Sequence, residues 1–363
     1  MNDPRHRILF NVSIAVNLIL AAGCMLSAYG GYFSPDYFHA IPAIALLAFP
    51  FWVVAMPCVT VADLITFRKT ALIPAVTMVL CVGAFLDFCP IRVRTVPTQG
   101  NDTFSLMIYN TLNLADYKEP ATDSNTTLQA IIDLRPDIIC MQEAPAVAPS
   151  FHNITRAQAD TFKMLYPNHG TRQLGVPVYS RFKITHIMAD TLPGTSGMLE
   201  KCVVDLDSTS LTIYNVHLQS IGLDTDDKAT FMALTQGHAR GNIKKIKSGL
   251  LAKLNHAFKT RASQARIIRQ YLDADTAENI IVCGDFNDVA SCYAIRTIMG
   301  NDLMNAYTEA GRGPSATYRA NRFYFHIDQI LYKGRIKPVE IATLRTGNSD
   351  HYPVRAIFKI ENL

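Results

Sequence analysis

The chain has 363 residues, of which 49% are hydrophobic and 18% charged, with 34 basic and 30 acidic side chains and a formal net charge of +4. This composition excludes a disordered or collagen-like chain, and so small a net charge does not by itself indicate nucleic-acid binding. The charged fraction lies below the roughly 25% typical of soluble domains. No Lys or Arg lies between Arg7 and Arg68, where the acids are Asp36 and Asp63. The sequence therefore divides into a part suited to lipid and a part suited to water.

Three apolar runs come first, over residues 8–32, 41–65 and 71–90. Each approaches the ~20 residues that a helix needs to cross ~30 Å of hydrocarbon. We predict three transmembrane helices in a domain of residues 1–95, followed by a linker over residues 96–102. A cleaved signal peptide is the alternative for the first run, and two membrane helices are the alternative for the whole region.

Basic residues set the expected orientation of these helices. They precede the first helix or lie between the second and the third: Arg5, Arg7, Arg68 and Lys69. The positive-inside rule then places the N-terminus in the cytoplasm and the chain beyond the third helix outside it, in the periplasm. Arg92 and Arg94 oppose this orientation, because they directly follow the third helix. With two helices, the remainder stays cytoplasmic or the N-terminus is reversed.

Residues 103–363 alternate between short strands and helices, which predicts an α/β layered sandwich. Polar residues stand at the ends of six predicted strands: Asn110, Gln142-Glu143, His217, Asp285 with Asn287, Asp328, and Asp350-His351. Any one of them alone is typical of a solvated strand end or a turn. Six in one chain indicate a site, because strand ends that meet at one edge of a sheet are where sites form.

In this order, the six elements resemble the endonuclease/exonuclease/phosphatase superfamily, the DNase I-like group. Gly284-Asp-Phe-Asn287 and Ser349-Asp-His351 are the most specific motifs, and the resemblance covers essentially all of residues 103–363. It implies a four-layer α/β sandwich, in which two packed mixed sheets carry outer helices. With the apolar region in front, the chain is identified as a membrane-anchored, bacterial-type member.

The resemblance implies a metal-dependent hydrolase that cleaves a phosphodiester or a phosphomonoester by in-line attack of a water molecule. It makes Glu143 the principal metal ligand, with Asn110 and Asp350 nearby. Carboxylate and amide oxygens suit Mg²⁺ or Mn²⁺, and no Cys or multi-His ligand set favours zinc. A membrane-bound endonuclease or exonuclease acting on DNA or RNA is an alternative, and an inactive binding module on the same fold is another.

The resemblance also assigns the residues that handle protons and phosphate. Asp285 would orient and deprotonate the attacking water, while Asn287 and His217 would donate hydrogen bonds to phosphate oxygens. His351 would hydrogen-bond the scissile phosphate, with Asp328 holding its other ring nitrogen. The substrate class stays open among lipid head groups, small phosphoesters and nucleic acids.

Two further segments stand out. The family usually has Arg where this chain has His326. Arg261-x-x-Gln264 resembles a pattern that many members carry, and its expected role is to pack against the site or to brace it. Over residues 241–260, apolar residues at helical spacing alternate with lysines, which predicts a basic amphipathic helix. It packs over the sandwich edge or contacts anionic lipid head groups or a polyanionic substrate.

Overall fold

The computed structural model describes residues 4–38, 40–66, 69–91, 102–115, 117, 123–149, 151–171, 174–222, 243–320 and 324–361. In this part of the chain the helices are α1 Pro4–Tyr29, α2 Ile41–Leu47, α3 Phe49–Thr66, α4 Leu72–Leu80, α5 Val82–Phe88, α6 Thr126–Leu134, α7 Arg156–Leu165, α8 Ile243–Asp273, α9 Tyr293–Met299 and α10 Ala306–Ala310. The strands are β1 Thr103–Asn110, β2 Ile138–Gln142, β3 Asn168–His169, β4 Val178–Ser180, β5 Ile184–Thr191, β6 Met198–Asp205, β7 Ser210–His217, β8 Ile280–Asp285, β9 Met304–Asn305, β10 Asp328–Lys333, β11 Ile336–Thr343 and β12 Val354–Ile360.

The strands form two mixed six-stranded sheets. The first has the order β11-β12-β1-β2-β4-β3 and the second the order β5-β6-β7-β8-β10-β9. Within each sheet one central pair is parallel, β1 with β2 and β7 with β8, while the other neighbours are antiparallel. The two packed mixed sheets with flanking helices confirm the predicted DNase I-like sandwich.

The central strands are apolar on both faces because each sheet is covered on both sides. In β1, Leu106 and Ile108 face the core between the two sheets, while Met107 and Tyr109 pack with α6 and α7. The second sheet has its own outer core, where Tyr214 and other residues pack with α8 and α9. The sandwich therefore has three apolar layers, and polar side chains gather at its edges.

The N-terminal region is a separate helical cluster. Two of its helices, over Arg7–Tyr32 and Phe49–Thr66, are long and apolar enough to cross a membrane by length and composition. The second predicted run is divided between α2 and α3, and the third forms two short helices that meet at Cys81. The three-helix arrangement therefore stays a prediction. Arg68, Arg92, Arg94 and most of the predicted linker lie outside the described residues.

The N-terminal helices contact the sandwich through the segment between α1 and α2. Arg266 lies 2.9 Å from Asp36, and the Arg296 guanidinium lies 4.0 Å from the centre of the Tyr32 ring. Gly31 packs so closely that a Cβ would stand 1.7 Å from the Ser291 carbonyl oxygen, so only glycine fits there. The contact is therefore made by specific polar and steric matches as well as by apolar packing.

Candidate active site

The site lies at one edge of the sandwich, where the ends of the central strands meet. Parallel pairing places Asn110 beside Gln142 at the end of the first pair and His217 beside Asp285 at the end of the second. Antiparallel β10 begins there, with Asp328 opposite Asp285. Strand register alone thus brings polar residues from distant parts of the sequence together.

The backbone of this edge adopts conformations that are uncommon for side-chain-bearing residues. Glu143 and Asn287 have φ values of 47° and 53°. Gly284 has a φ of +132°, and a Cβ there would stand 2.0 Å from the Val216 carbonyl oxygen. Only glycine allows β8 to approach β7 so closely immediately before Asp285. Left-handed residues concentrated at a strand edge are typical of functional sites.

Asp285 is the centre of the cluster and is almost fully buried. Its Oδ1 accepts the Asn287 N–H at 2.8 Å, and its Oδ2 accepts the Asn110 amide at 2.9 Å. Burial raises the pKa of Asp285 and the charge of Asp328 raises it further, while His351, His217 and the Asn110 bond lower it. A carboxylate with a raised pKa is a better general base near neutral pH.

His217 directs an unpaired nitrogen into the same space. Its Nε2 lies 3.7 Å from both Glu143 Oε1 and Asp285 Oδ2, beyond hydrogen-bonding distance. Among the described residues, no hydrogen-bond partner reaches this buried atom. An orphaned buried nitrogen is rare in proteins, and an oxygen of a bound ligand within hydrogen-bonding distance would satisfy it.

His351 forms a pair with Asp328, as predicted from the resemblance. Its Nδ1 lies 2.9 Å from Asp328 Oδ2, and its Nε2 points toward Asp285 Oδ2 at 3.7 Å. Burial alone would lower the pKa of His351, but the carboxylates of Asp328 and Asp285 outweigh it and raise the pKa to about 10. At neutral pH the ring is therefore a cation that can donate from Nε2.

The residues predicted to hold a metal lie on the Glu143 side of the cluster. Asn110 donates to Glu143 Oε1 at 3.1 Å, and its own Oδ1 accepts the Leu112 N–H. Burial raises the pKa of Asp350; His351 lowers it, and the charges of Glu143 and Asp285 raise it again. Carboxylates that repel one another in a half-buried site fit a hard divalent cation, which would offset their charge.

A second grouping is less suited to a metal. Asp285, Asp328 and His351 each place one ligand-type atom within 4.8 Å of the others. However, His351 and Asp328 are already bonded to each other, and the protonated ring has no free lone pair. The grouping is better described as a buried ion-pair network. The residues present therefore fit a divalent ion at Glu143, Asn110 and Asp350.

Several positioning roles were not assigned by sequence reasoning. The Thr317 hydroxyl accepts the N–H of Asp328 at 3.2 Å, and the Ser349 hydroxyl donates to the Asn110 carbonyl at 2.7 Å. Between the sheets, Gln142 Nε2 donates to Asn215 Oδ1 at 2.6 Å. Isolated Ser, Thr and Gln residues carry no sequence signal of such roles, although Asn215 and Ser349 fall inside the motifs that indicate the site.

Behind the catalytic edge lies a second set of buried polar residues, Arg261, Asp288, Gln219 and Gln264, which we call the bracing cluster. Arg261 Nε lies 3.1 Å from Asp288 Oδ2, and its Nη1 donates to the Gln219 carbonyl at 2.8 Å. Gln264 accepts the Gln219 N–H at 2.9 Å. The cluster ties α8 to the chain segments that follow His217 and Asn287, as expected for residues that brace the site.

Two other predicted features are also located. His326 stacks on Tyr307, with ring centres 4.4 Å apart, and burial lowers its pKa to about 4. The basic helix belongs to α8, where Leu254 and Phe258 pack against Ala40 and Ala43 of the N-terminal region. Its lysines at positions 244, 245 and 247 lie outside the described side chains. Packing thus accounts for Leu254 and Phe258 of the predicted apolar face.

Comparisons with known proteins agree with this architecture. A model of the Endonuclease/Exonuclease/phosphatase family matches residues 107–351, and a model described as a domain of unknown function (DUF8431) matches residues 6–88. No curated protein matches the chain.

Solved structures also resemble the chain. An endonuclease/exonuclease/phosphatase from Beutenbergia cavernae is 16% identical, with 72% of each chain covered and a TM-score of 0.50, and it shows the shared fold. A Bacteroides vulgatus endonuclease/exonuclease/phosphatase is 16% identical over 71% of this chain and 99% of its own, with a TM-score of 0.45. Sphingomyelinase C from Streptomyces griseocarneus is 17% identical over 72% and 99%, with a TM-score of 0.44. With two thirds of its length matched by the family model and the matching fold, the chain belongs to the endonuclease/exonuclease/phosphatase family, whose members hydrolyse phosphoester bonds.

Proposed function

We propose that the protein is a membrane-anchored, Mg²⁺-dependent phosphoesterase that hydrolyses its substrate at the Asp285 cluster. The observation that carries this proposal is the buried, unpaired Nε2 of His217. This atom lies 3.7 Å from a carboxylate oxygen of Glu143 and 3.7 Å from one of Asp285. A phosphate oxygen placed between these groups would accept from His217 and from the protonated His351. Family membership supports hydrolysis of a phosphoester, and this geometry supports the Asp285 cluster as the place where it occurs.

A divalent ion, Mg²⁺ or Mn²⁺, would be held by Glu143, with Asp350 and the Asn110 amide oxygen nearby. When bound, the ion supplies positive charge that offsets the phosphate charge and that of the surrounding carboxylates. In the absence of a neutralising charge, burial raises the pKa of Asp350 most, and the charges of Glu143 and Asp285 raise it further. The same charges would hinder an anionic substrate from entering.

The chain's own residues account for the proton transfers. Asp285 takes a proton from the attacking water, whose oxygen forms a new bond to phosphorus while the ester P–O bond on the opposite side breaks. The leaving oxygen takes a proton from solvent. Asn287, whose Nδ2 donates to the Leu218 carbonyl at 3.0 Å, has a second N–H for the phosphate. Protonated His351, held by Asp328, stabilises the charge that develops on the phosphate oxygens.

We further propose that the N-terminal region anchors this domain with the catalytic part outside the cytoplasm. The two long apolar helices support the anchoring. The contacts of Tyr32 and Asp36 with the sandwich support the side of the membrane on which the catalytic part lies. These contacts lie at the end of α1 that is opposite the basic N-terminus. The Thr70 hydroxyl lies 3.4 Å from the Ser13 hydroxyl, near the start of α1. Lys69, the residue before Thr70, therefore lies toward the same end of α1 as the basic N-terminus. Three transmembrane helices, residues 96–102 as linker, a periplasmic location and a bacterial-type protein remain predictions.

The proposal is tested with the full chain purified in detergent. Bis(p-nitrophenyl) phosphate, plasmid DNA, RNA, phospholipids and nucleotide monoesters are assayed with Mg²⁺, Mn²⁺ or EDTA, beside Glu143→Ala, Asp285→Ala and the exposed control Asp273→Asn. We expect cation-dependent hydrolysis of at least one substrate, lost in the two site variants and kept in the control. Hydrolysis that survives EDTA or both site substitutions would contradict the assignment. The substrate panel also separates the nuclease alternative from the others.

A further inference from the structure

A cavity of about 390 Å³ lies between the N-terminal helices and the sandwich. One wall comes from α2, α3 and α5 and includes Leu47, Phe49 and Phe88. The opposite wall comes from residues 289–291, 314–316 and 324–326. Ligand cavities in proteins are of this size and are mostly apolar with a few polar groups, as this one is.

The sandwich wall of the cavity is built from the loops that carry the catalytic edge. Residues 289–291 follow shortly after Asn287, and residues 324–326 lead into Asp328. The chain positions next to these loops are hydrogen-bonded, since the Phe286 N–H donates to the Ile327 carbonyl at 3.0 Å. Two segments of the cavity wall therefore adjoin, along the chain, residues of the Asp285 cluster.

A cation stands at the rim of this cavity. Arg345 lines it and has an exposed side chain, and among the described residues no carboxylate forms an ion pair with it. It lies shortly before the Ser349–His351 segment, which belongs to the catalytic edge. A guanidinium binds phosphate oxygens in a two-point geometry, so Arg345 is suited to an anionic head group.

The other wall is continuous with a surface suited to lipid. The helices that supply it carry large apolar side chains on the outside of the molecule, with exposed fractions of 61% for Ile41 and 64% for Phe51. On a soluble protein such a surface would favour aggregation, whereas in a bilayer it contacts acyl chains. The same helices therefore expose apolar side chains outward and also supply residues to the cavity wall.

We propose that this cavity binds an acyl chain of a membrane phospholipid and thereby brings the lipid's phosphate ester to the catalytic edge. The inference rests on the proposed phosphoesterase function and names its substrate class. The apolar walls hold the chain, Arg345 faces the head group, and the catalytic edge receives the phosphate. The N-terminal helices are in this account part of the substrate-binding site as well as the anchor.

The first test compares lipids that differ only in their tails. The full chain in detergent micelles is assayed on short-chain and long-chain phosphatidylglycerol and, as a soluble reference, on bis(p-nitrophenyl) phosphate. The variants Leu47→Trp and Ala290→Trp fill the cavity from its two walls, and Ala157→Trp adds the same side chain at an exposed position of α7. We expect the long-chain to short-chain ratio of kcat/KM to fall by about tenfold in both cavity variants and to stay unchanged in the control.

The outcomes separate the two claims. A wild-type enzyme that hydrolyses the soluble reference with no preference for long chains overturns the cavity proposal and leaves the phosphoesterase intact. An equal long-chain to short-chain ratio of kcat/KM in the cavity variants and in the control also overturns the cavity proposal and leaves the phosphoesterase intact. If no phosphoester in the wider panel is hydrolysed, the proposed function itself fails.

A second measurement uses the wild-type protein and does not depend on turnover. The full chain in phosphatidylcholine vesicles that contain a phosphatidylglycerol with a diazirine near the end of one acyl chain is irradiated, and the labelled peptides are mapped by mass spectrometry. We expect labels on residues 289–291, 314–316 or 324–326, which form the sandwich wall of the cavity. Labels confined to the outer faces of α1 and α3 would overturn the proposal.

Discussion

The catalytic edge and the bracing cluster behind it both bury charged side chains, but they pair them differently. In the bracing cluster, Arg261 bonds Asp288 at 3.1 Å and the Gln219 carbonyl at 2.8 Å. At the catalytic edge, Asp285 stands 3.7 Å from the Nε2 atoms of both His217 and His351. Because buried polar groups are costly unless they are bonded, the first arrangement holds the fold and the second is built for a ligand.

The largest expected effect of this difference is on catalysis, through Asp328. Asp328→Asn removes the charge that most strongly raises the pKa of His351, so the ring loses its proton at a lower pH than about 10. We expect kcat to fall by about 10²- to 10⁴-fold, with the alkaline limb of the pH–rate profile moved to lower pH. Steady-state kinetics across pH measure both, with Asp273→Asn, an exposed carboxylate on α8, as the control. An unchanged profile would show that the pair does not set the protonation of His351.

The next effect is on stability, in the bracing cluster. Arg261 is 1% exposed, and Arg261→Met leaves Asp288 buried without its cation. Removal of one partner of a buried ion pair costs about 3–5 kcal/mol of unfolding free energy. Chemical denaturation followed by circular dichroism measures the loss, and kcat per folded molecule should change far less than the stability. A variant that is as stable as the wild type would mean that the cluster does not brace the sandwich.

A smaller effect on stability comes from Glu200, a buried carboxyl that belongs neither to the catalytic edge nor to the bracing cluster. Burial raises its pKa from 4.5 to about 8, although the backbone N–H groups of Thr171 and Val178 lower it. A folded-state pKa above the unfolded value gives stability that is complete below pH 4.5 and is lost as pH rises through about 8, with a slope of at most about 1.4 kcal/mol per pH unit. Glu200→Gln should flatten this dependence in denaturation experiments at several pH values. An equally steep profile in the variant would place the titration elsewhere.

Much of the catalytic edge could be predicted from the sequence, because strand periodicity places residues at strand ends. Asn110, His217 and Asp285 each end an apolar run, and parallel pairing then brings such ends to one edge. The two-sheet fold follows from the same pattern of runs. Periodicity does not predict which strand ends meet. The order of the six motifs, which resembles that of the family, predicts this.

Other features depend on three-dimensional packing and have no local signal. The 3.7 Å separations around Asp285 and the positive φ values of Glu143 and Asn287 are not visible in residue type. The contact of Gly31 with the Ser291 carbonyl joins positions far apart in the chain. The cavity that Ser291 lines does the same. The break at Cys81 inside the third apolar run likewise shows no change in hydrophobicity.

The central claim is that Asp285 belongs to a catalytic site and Asp288, which is equally buried three residues later, belongs to the scaffold. The most direct test measures kcat for bis(p-nitrophenyl) phosphate with Mg²⁺, per folded molecule, in Asp285→Asn and Asp288→Asn. We expect a loss of about 10³-fold or more in Asp285→Asn. Asp288→Asn should keep kcat within about threefold while its thermal midpoint falls further than that of Asp285→Asn. Equal losses of kcat in the two variants, or an active Asp285→Asn enzyme, would contradict the account.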